Sequence, residues 1–357
     1  MDFTADEAEA EVSLLAAQVL AAGTRHATGT DTASVAGDYD DHLWKELGSA
    51  GLLSLAVPAE LGGDGLGMQA TAAVLTEVGR HAAEVPALAT LALGVLPVAR
   101  SGDAAVRRHL LAGVAAGDSV LTAAIREPSD PMPVLPRTTT TGHVISGVKV
   151  GVPAAAAARW ILVPARRAGS ADSVVAVIEP AGDGVSCQRT RSSSGRPEYT
   201  LRLDDAPVQY LLNGCDAAML YRFAIAGVCA VADGVLAAAL DLTTEHVRSR
   251  QQFGRPLAAF QAVAQQIADV YSTVRTVHLV TMSACWRLDA GLGGTDTDVA
   301  AYWLARYGPP ALRTCHQLHG GLGMDISYPL PRYSALMTDL VAQLGGADAA
   351  LDRLADA

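Results

Sequence analysis

Residues 248–277 read RSRQQFGRPLAAFQAVAQQIADVYSTVRTV, a basic turn followed by a long periodic apolar run. Within it Phe260, Val263, Ile267, Tyr271, Val274 and Val277 recur at intervals of three or four, which puts them on one face of a helix. Pro256 suits the first turn of that helix, and GLGG at 291–294 ends it. A further helix carries Tyr302, Trp303 and Leu304, and YGPP at 307–310 is expected to kink or break it.

Upstream of this helical region the texture changes twice. From about 121 to 212, short runs rich in Val and Ile (HVISGVKVGV, WILVPA, SVVAVIEP, EYTLRLDDAPVQYLL) are separated by Gly, Pro, Ser and Asp, the pattern of a compact β domain. From the start to about residue 120, EAEVSLLAAQVLAAG, DDHLWKELGSAGLL and MQATAAVLTEVGRHA return to helical spacing. They are interrupted by VPAELGGDGLG at 57–67, where Pro58 and the glycines oppose regular structure. The expectation is an α+β chain with helices over 1–120, strands over 121–212 and helices over 213–357. No βαβ alternation suggests a doubly wound parallel sheet.

The 357 residues are half hydrophobic and only 18% charged, which suits extensive buried surface or a large subunit interface. A net charge of -11 argues against a general nucleic-acid binder and against a binder of anionic membranes. Cys187, Cys215, Cys229, Cys285 and Cys315 are odd in number and scattered through apolar runs, as reduced core residues of a cytoplasmic protein would be. The acidic opening MDFTADEAEAE lacks the basic start of a leader peptide, and no run reaches the roughly 20 uninterrupted apolar residues of a membrane span.

Two stretches carry chemistry. RSRQQFGRPLAAFQ sets Arg248, Arg250 and Arg255 around a Phe253-Gly254 turn: guanidinium forks suit phosphates, an aromatic face suits a flat ring, and glycine admits a ligand close to the backbone. QLHGGLG at 317–323 offers backbone amides at Gly320 and Gly321 beside the Gln317 amide. Read blandly, the arginines are surface ion pairs and the glycines cap a helix. Read together, the stretches suit a nucleotide pyrophosphate and its sugar.

GLLSLAVPAELGGDGLG, RSRQQFGRPLAAFQAVAQQIAD and QLHGGLGMDISYPLPR together resemble the acyl-CoA dehydrogenase family over nearly the whole chain. The resemblance implies an N-terminal helical domain, a middle β-barrel and a C-terminal four-helix bundle through which protomers associate. It also implies that the two C-terminal motifs reach across the subunit interface to the adenosine diphosphate part of a neighbour's FAD. By position, Arg250 would pair with the pyrophosphate, Phe253 would pack near the cofactor and Gln261 would support the turn, while Gln317, Gly320 and Gly321 would meet the adenosine end.

The chain departs from the family where its own chemistry should lie. The family's carboxylate base falls at one of two positions, occupied here by Leu344 or Gly345 and by Ala224, none of which accepts a proton. Glu245, Asp339 and Asp348 read as helix-surface charges. In the ring-binding segment Arg126 of IREPSDP replaces a threonine, and after Lys149 the chain runs VGVPAAAAARW with no tryptophan at the ring-facing position; Trp160 comes too late and reads as core. The residues serving a neighbour's flavin are thus present, and those serving this chain's own site are not. The implied protein is the subunit of an α2β2 acyl-CoA dehydrogenase that lacks the base. Its implied partners are a homologous catalytic subunit, an acyl-CoA thioester with a possible steroid side chain, and an electron-transfer flavoprotein. The alternatives are a homomeric dehydrogenase with a displaced base, and a flavin-free scaffold or thioester-binding protein. His316 and His319 have helix-ligand spacing but no evident third ligand, so no metal is expected. The alanine run at 154–158 reads as a relaxed loop, and GGDGLG at 62–67 lacks phosphate-loop spacing.

Overall fold

The structure, a computed structural model, describes residues 7–27, 39–292 and 294–355. The first six residues of the acidic opening stretch and Gly293 of the GLGG stop lie outside the described residues. Helices come first: α1 (Glu7–Ala27), α2 (Asp41–Ser49) and α3 (Met68–Arg80), each matching a periodic run. Asp40 caps α2 by accepting from the Leu43 amide at 2.9 Å. The turn-rich 57–67 stretch holds one 3-10 turn, Ala59–Leu61. A segment apolar apart from Thr90 then forms a π-helical stretch at Leu88–Val95, leading into α4 (Leu96–Ala99) and α5 (Ala104–Leu110).

Strands follow: β1 (Leu121–Ala123), β2 (Thr139–Thr140), β3 (Val144–Pro153), β4 (Trp160–Arg167), β5 (Ser173–Ile178), β6 (Val185–Arg191), β7 (Pro197–Pro207) and β8 (Tyr210–Leu211). They form one mixed sheet in the order β6-β7-β3-β2-β4-β5-β8, with β1 added on β4. β6 and β8 are its edges, and the charged, exposed side chains of β6 blunt the first of them. Trp160 is core, as expected. The alanine run is not relaxed: Ala154, Ala155 and Ala158 are buried in a tight turn between β3 and β4, where small side chains let the turn pack down.

The remaining chain is helical apart from one hairpin. α6 (Ala217–Ser249) is the long central helix, packed against α3, α7 (Gln261–Asp289), α8 (Asp296–His319) and α9 (Leu330–Leu344); α10 (Gly346–Ala355) closes on α8 and α9. α6 is long and apolar enough to span a bilayer, but most of it is core. Glycines let it approach α3: a Cβ at Gly79 would run into the Val231 carbonyl, and one at Gly234 into that of Thr76.

Three sequence expectations change here. α8 runs unbroken through Pro309 and Pro310, because packing against α6, α7, α9 and α10 offsets the amide hydrogen bonds the prolines cannot make. Pro256 lies before α7, in a hairpin strand followed by a 3-10 turn at Leu257–Ala259. The buried face of α7 is Val270, Val274, Val277, Thr281, Ala284 and Cys285, leaving Tyr271 exposed. Of the expected stripe, Val274 and Val277 are buried, Phe260, Val263 and Ile267 are half-buried, and only Tyr271 is exposed.

Candidate functional site

The α6–α7 connection is a two-residue hairpin in which β9 (Gln251–Gln252) pairs antiparallel with β10 (Arg255–Pro256). Phe253 and Gly254 both have positive φ, +53 and +78, as a type I′ turn demands. A phenylalanine there is strained by roughly 1–2 kcal/mol, and its ring is 90% exposed. A large aromatic held exposed on a strained turn is available to a group outside the chain. Phe253 meets Phe260 edge-on, and the Arg255 guanidinium lies 4.1 Å from the centre of the Phe260 ring. Arg255 is thus held within the turn and braces it. Arg250, the residue capping α6, is exposed and has no ion-pair partner among the described residues.

The second motif lies beside the first. His319, at the end of α8, stacks on His246 of α6 with ring centres 4.4 Å apart, which brings Arg250 and Gly320 to the same end of the bundle. His319 Nδ1 donates to the Cys315 carbonyl at 2.8 Å, so Nε2 carries the lone pair of a neutral ring, buried without a hydrogen-bond partner among the described residues. His316 Nε2 pairs with the Ser334 hydroxyl. Gly320 has φ +60 and ψ -137, a conformation open essentially to glycine alone. Gly321 is different, since its φ is unexceptional and a Cβ on it would meet nothing within 4 Å. Neither backbone conformation nor packing within the chain calls for glycine at 321. Beyond it Leu322, Met324 and Ile326 are exposed apolar residues, and Gln317 and Gln261 are exposed as well.

The positions expected for a base hold none. Ala224 is fully buried in α6, Leu344 is the buried last residue of α9, and Gly345 caps that helix with φ +81. Glu245 and Asp348 are exposed. Asp339 is not a surface charge. Only 8% exposed, it accepts from the Ser193 and Ser194 amides at 2.7 and 2.9 Å and so ties the β6–β7 loop to α9. Both carboxylate oxygens are committed to those amides.

Asp339 lines a cavity of about 280 Å³ where the first helices, the sheet and the last helices meet, together with Glu84, Arg189, Arg196, Glu198 and Gln343. Arg196 donates to the Ala82 and Ala83 carbonyls, both at 2.9 Å, and fixes the β6–β7 loop to the end of α3. Glu198, missed in the sequence because a lone glutamate on a strand looks like surface, is raised above the usual carboxylate range. Burial is the main cause and Asp339 adds to it, against the opposing pull of Arg126 and a hydrogen bond from Gln343.

Next to the cavity lies the segment that the resemblance assigns to ring binding and that was expected not to hold a ring in this chain. Glu127 and Lys149 form a buried pair at 2.9 Å. Glu127 also accepts from the Arg137 and Thr138 amides and the Thr138 hydroxyl. Burial alone would raise the Glu127 pKa, but the Lys149 charge and the Thr138 hydrogen bonds outweigh it and hold it at about 2. The pair pins the loop after Glu127 to β3. Arg126 is half-buried, and its guanidinium fills the space over Gly151: a Cβ there would lie 2.6 Å from Nη1 of Arg126 and 3.3 Å from Glu198 Oε2. This segment does not fit a flavin ring, whereas the open Gly320–Gly321 turn beside an unpaired arginine does fit a pyrophosphate and sugar approaching from outside.

The description "Acyl-CoA dehydrogenase, N-terminal domain" matches residues 9–118, and "Acyl-CoA dehydrogenase, C-terminal domain" matches 217–353. The chain is 45% identical to acyl-CoA dehydrogenase FadE28 of Mycobacterium tuberculosis over 317 residues, covering 88% of this chain and 91% of that one. Among solved structures it is similar to the Tcur3481-Tcur3483 steroid ACAD, with a TM-score of 0.89, 33% identity and coverage of 98% and 96%. It is also similar to the ChsE4-ChsE5 complex from Mycobacterium tuberculosis, with a TM-score of 0.90, 30% identity and coverage of 100% and 98%. With helices, a central sheet and closing helices in the order expected, and with these matches along its length, the chain belongs to the acyl-CoA dehydrogenase family.

Proposed function

We propose that this chain is the subunit of a heteromeric acyl-CoA dehydrogenase that lends FAD-binding residues to a homologous partner and carries no catalytic base. The observation that bears most weight is Gly321, a glycine with no reason internal to the chain, near an exposed Phe253 and an exposed Arg250 that has no ion-pair partner among the described residues. The ion-pairing arginine, the aromatic ring and the bare amides supply what an adenosine diphosphate needs. Arg250 would hold the pyrophosphate with Phe253 against the cofactor and Gln261 behind the turn, and Gln317, Gly320 and Gly321 would meet the adenosine. Leu322, Met324, Ile326 and Tyr271 add an apolar rim of the kind that meets a partner subunit.

Bound FAD supplies the hydride acceptor for α,β-desaturation of a CoA thioester, and the partner supplies the carboxylate that removes the α-proton. A steroid-bearing thioester as substrate, and a two-component α2β2 assembly, are supported by the description of one relative as a steroid ACAD and of another as a ChsE4-ChsE5 complex. A cytoplasmic location and reoxidation by an electron-transfer flavoprotein complete the reading. So does a division into units near residues 120 and 212, supported by the confinement of the main sheet between Leu121 and Leu211.

The test is to produce the chain alone and with a homologous subunit encoded nearby, and to measure flavin absorbance per chain with native mass. About one FAD per pair of chains, lost in Arg250→Ala, is the expected result. A yellow homo-oligomer with one FAD per chain, unaffected by Arg250→Ala, would refute it.

A further inference from the structure

We infer that Arg126, laid over Gly151 and against Glu198, occupies the volume an isoalloxazine ring would need in this chain, and thereby determines which subunit of the assembly can hold flavin. The inference rests on the proposed sharing of FAD and goes past it. Absence of ring-binding residues would leave an empty, permissive cleft, whereas here the cleft is filled by a specific side chain.

The geometry leaves Arg126 little choice of place. Its carbonyl accepts from the Val150 amide at 3.0 Å, an isolated bridge that fastens residue 126 to β3 outside the regular ladder. From that anchor the side chain reaches Gly151, the next residue along β3. The space a Cβ would take at 151 is bounded by both Arg126 Nη1 and Glu198 Oε2, so guanidinium and carboxylate share it. Gly151 has φ +60, which by itself favours glycine, and the guanidinium of Arg126 fills the space left open above it.

Glu198 adds an opposite charge close to the filler, without a direct ion pair between the two among the described residues. Arginine keeps its charge at any relevant pH, and its planar fork suits a carboxylate. Glu198 is buried enough that its ionised form is disfavoured, and Arg126 offsets that penalty. A neutral ring pushing the guanidinium aside would leave Glu198 without its counter-charge, near Asp339. Glu198 and Gln343 line the same cavity, and Gln343 is next to Leu344 at one of the expected base positions. The ring segment and the end of α9, the two places where this chain departs from a working site, therefore border one cavity.

The experiment uses lumiflavin, an isoalloxazine without the adenosine diphosphate arm, so that only the ring position is read. Purified protein with whatever FAD it already holds is dialysed to equilibrium against lumiflavin, and bound lumiflavin is counted in addition to that FAD. Wild type is expected to take up none at a saturable site. Arg126→Ala and Arg126→Thr are expected to gain one, binding about tenfold or more tighter than wild type. Glu198→Gln, which keeps shape while removing the opposite charge near the guanidinium, is expected to fall between them and serves if the arginine variants do not fold. Saturable uptake by wild type overturns the inference, and so does a native-like set of variants that gains nothing. Loss of the proposed FAD sharing would appear separately, as Arg250→Ala retaining its FAD with the lumiflavin result unchanged.

Discussion

Replacing Gly321 with valine separates a glycine kept for folding from one kept for a ligand. A Cβ at 321 meets nothing within 4 Å and the backbone there needs no left-handed conformation, so Gly321→Val should change folding stability by no more than about 0.5 kcal/mol. Its neighbour provides the internal control. Gly320 has φ +60, and valine there should cost about 1–3 kcal/mol. If an adenosine arm approaches the bare amide, valine at 321 must push it back. Losing one good contact of about 1.4 kcal/mol weakens FAD about tenfold. The assay is thermal or urea unfolding for stability, paired with FAD titration and flavin content after gel filtration. The expected signature is a Gly321→Val protein as stable as wild type but poor in flavin, alongside a Gly320→Val protein deficient in both. Full flavin retention by Gly321→Val would refute the reasoning.

Lys149→Met should destabilise the protein by about 3–5 kcal/mol in equilibrium unfolding, since it strands a buried carboxylate; pairing it with Glu127→Leu should recover most of that. Glu127 is held well below its ordinary value, at about 2, by the Lys149 charge and the Thr138 hydrogen bonds against its burial, and so contributes stability in its ionised form. That stability is fully present above about 4.5 and is lost as pH falls toward about 2, a loss that a pH series of unfolding curves would show and that should vanish in Glu127→Gln. His246 and His319 are held below the ordinary 6.5, His246 by burial, His319 and Arg250, and His319 by burial and His316 against the Cys315 carbonyl. Unfolded imidazoles take up protons before folded ones do, so the stack's contribution is complete above 6.5 and declines as pH falls through the lowered folded values; His319→Phe should flatten that part of the profile. Gly234→Ala should cost about 1–3 kcal/mol by forcing α6 off the Thr76 carbonyl.

Much of this protein was legible in its sequence because the signals were local. Periods of three and four drew α1, α3 and α7, alternating Val and Ile drew β3, β4 and β5, and Phe-Gly and Gly-Gly marked the two turns whose exposure the structure displays. Position along the chain also sufficed to show that Ala224 and Leu344 cannot accept a proton. Other features rest on residues far apart in sequence. Asp339 looked like a helix-surface charge until the Ser193 and Ser194 amides, 146 and 145 residues away, claimed both its oxygens. Pro309 and Pro310 have a strong local preference to end a helix, and the helices packed around α8 overrode it. Arg126 could be read in sequence only as a threonine replaced. That it fills a gap left by Gly151 and balances Glu198 depends on three strand segments meeting across the sheet. Propensity and turn chemistry act over a few residues and can be read along the chain. Desolvation and charge pairing depend on what surrounds a group in space, and only the tertiary structure decides that.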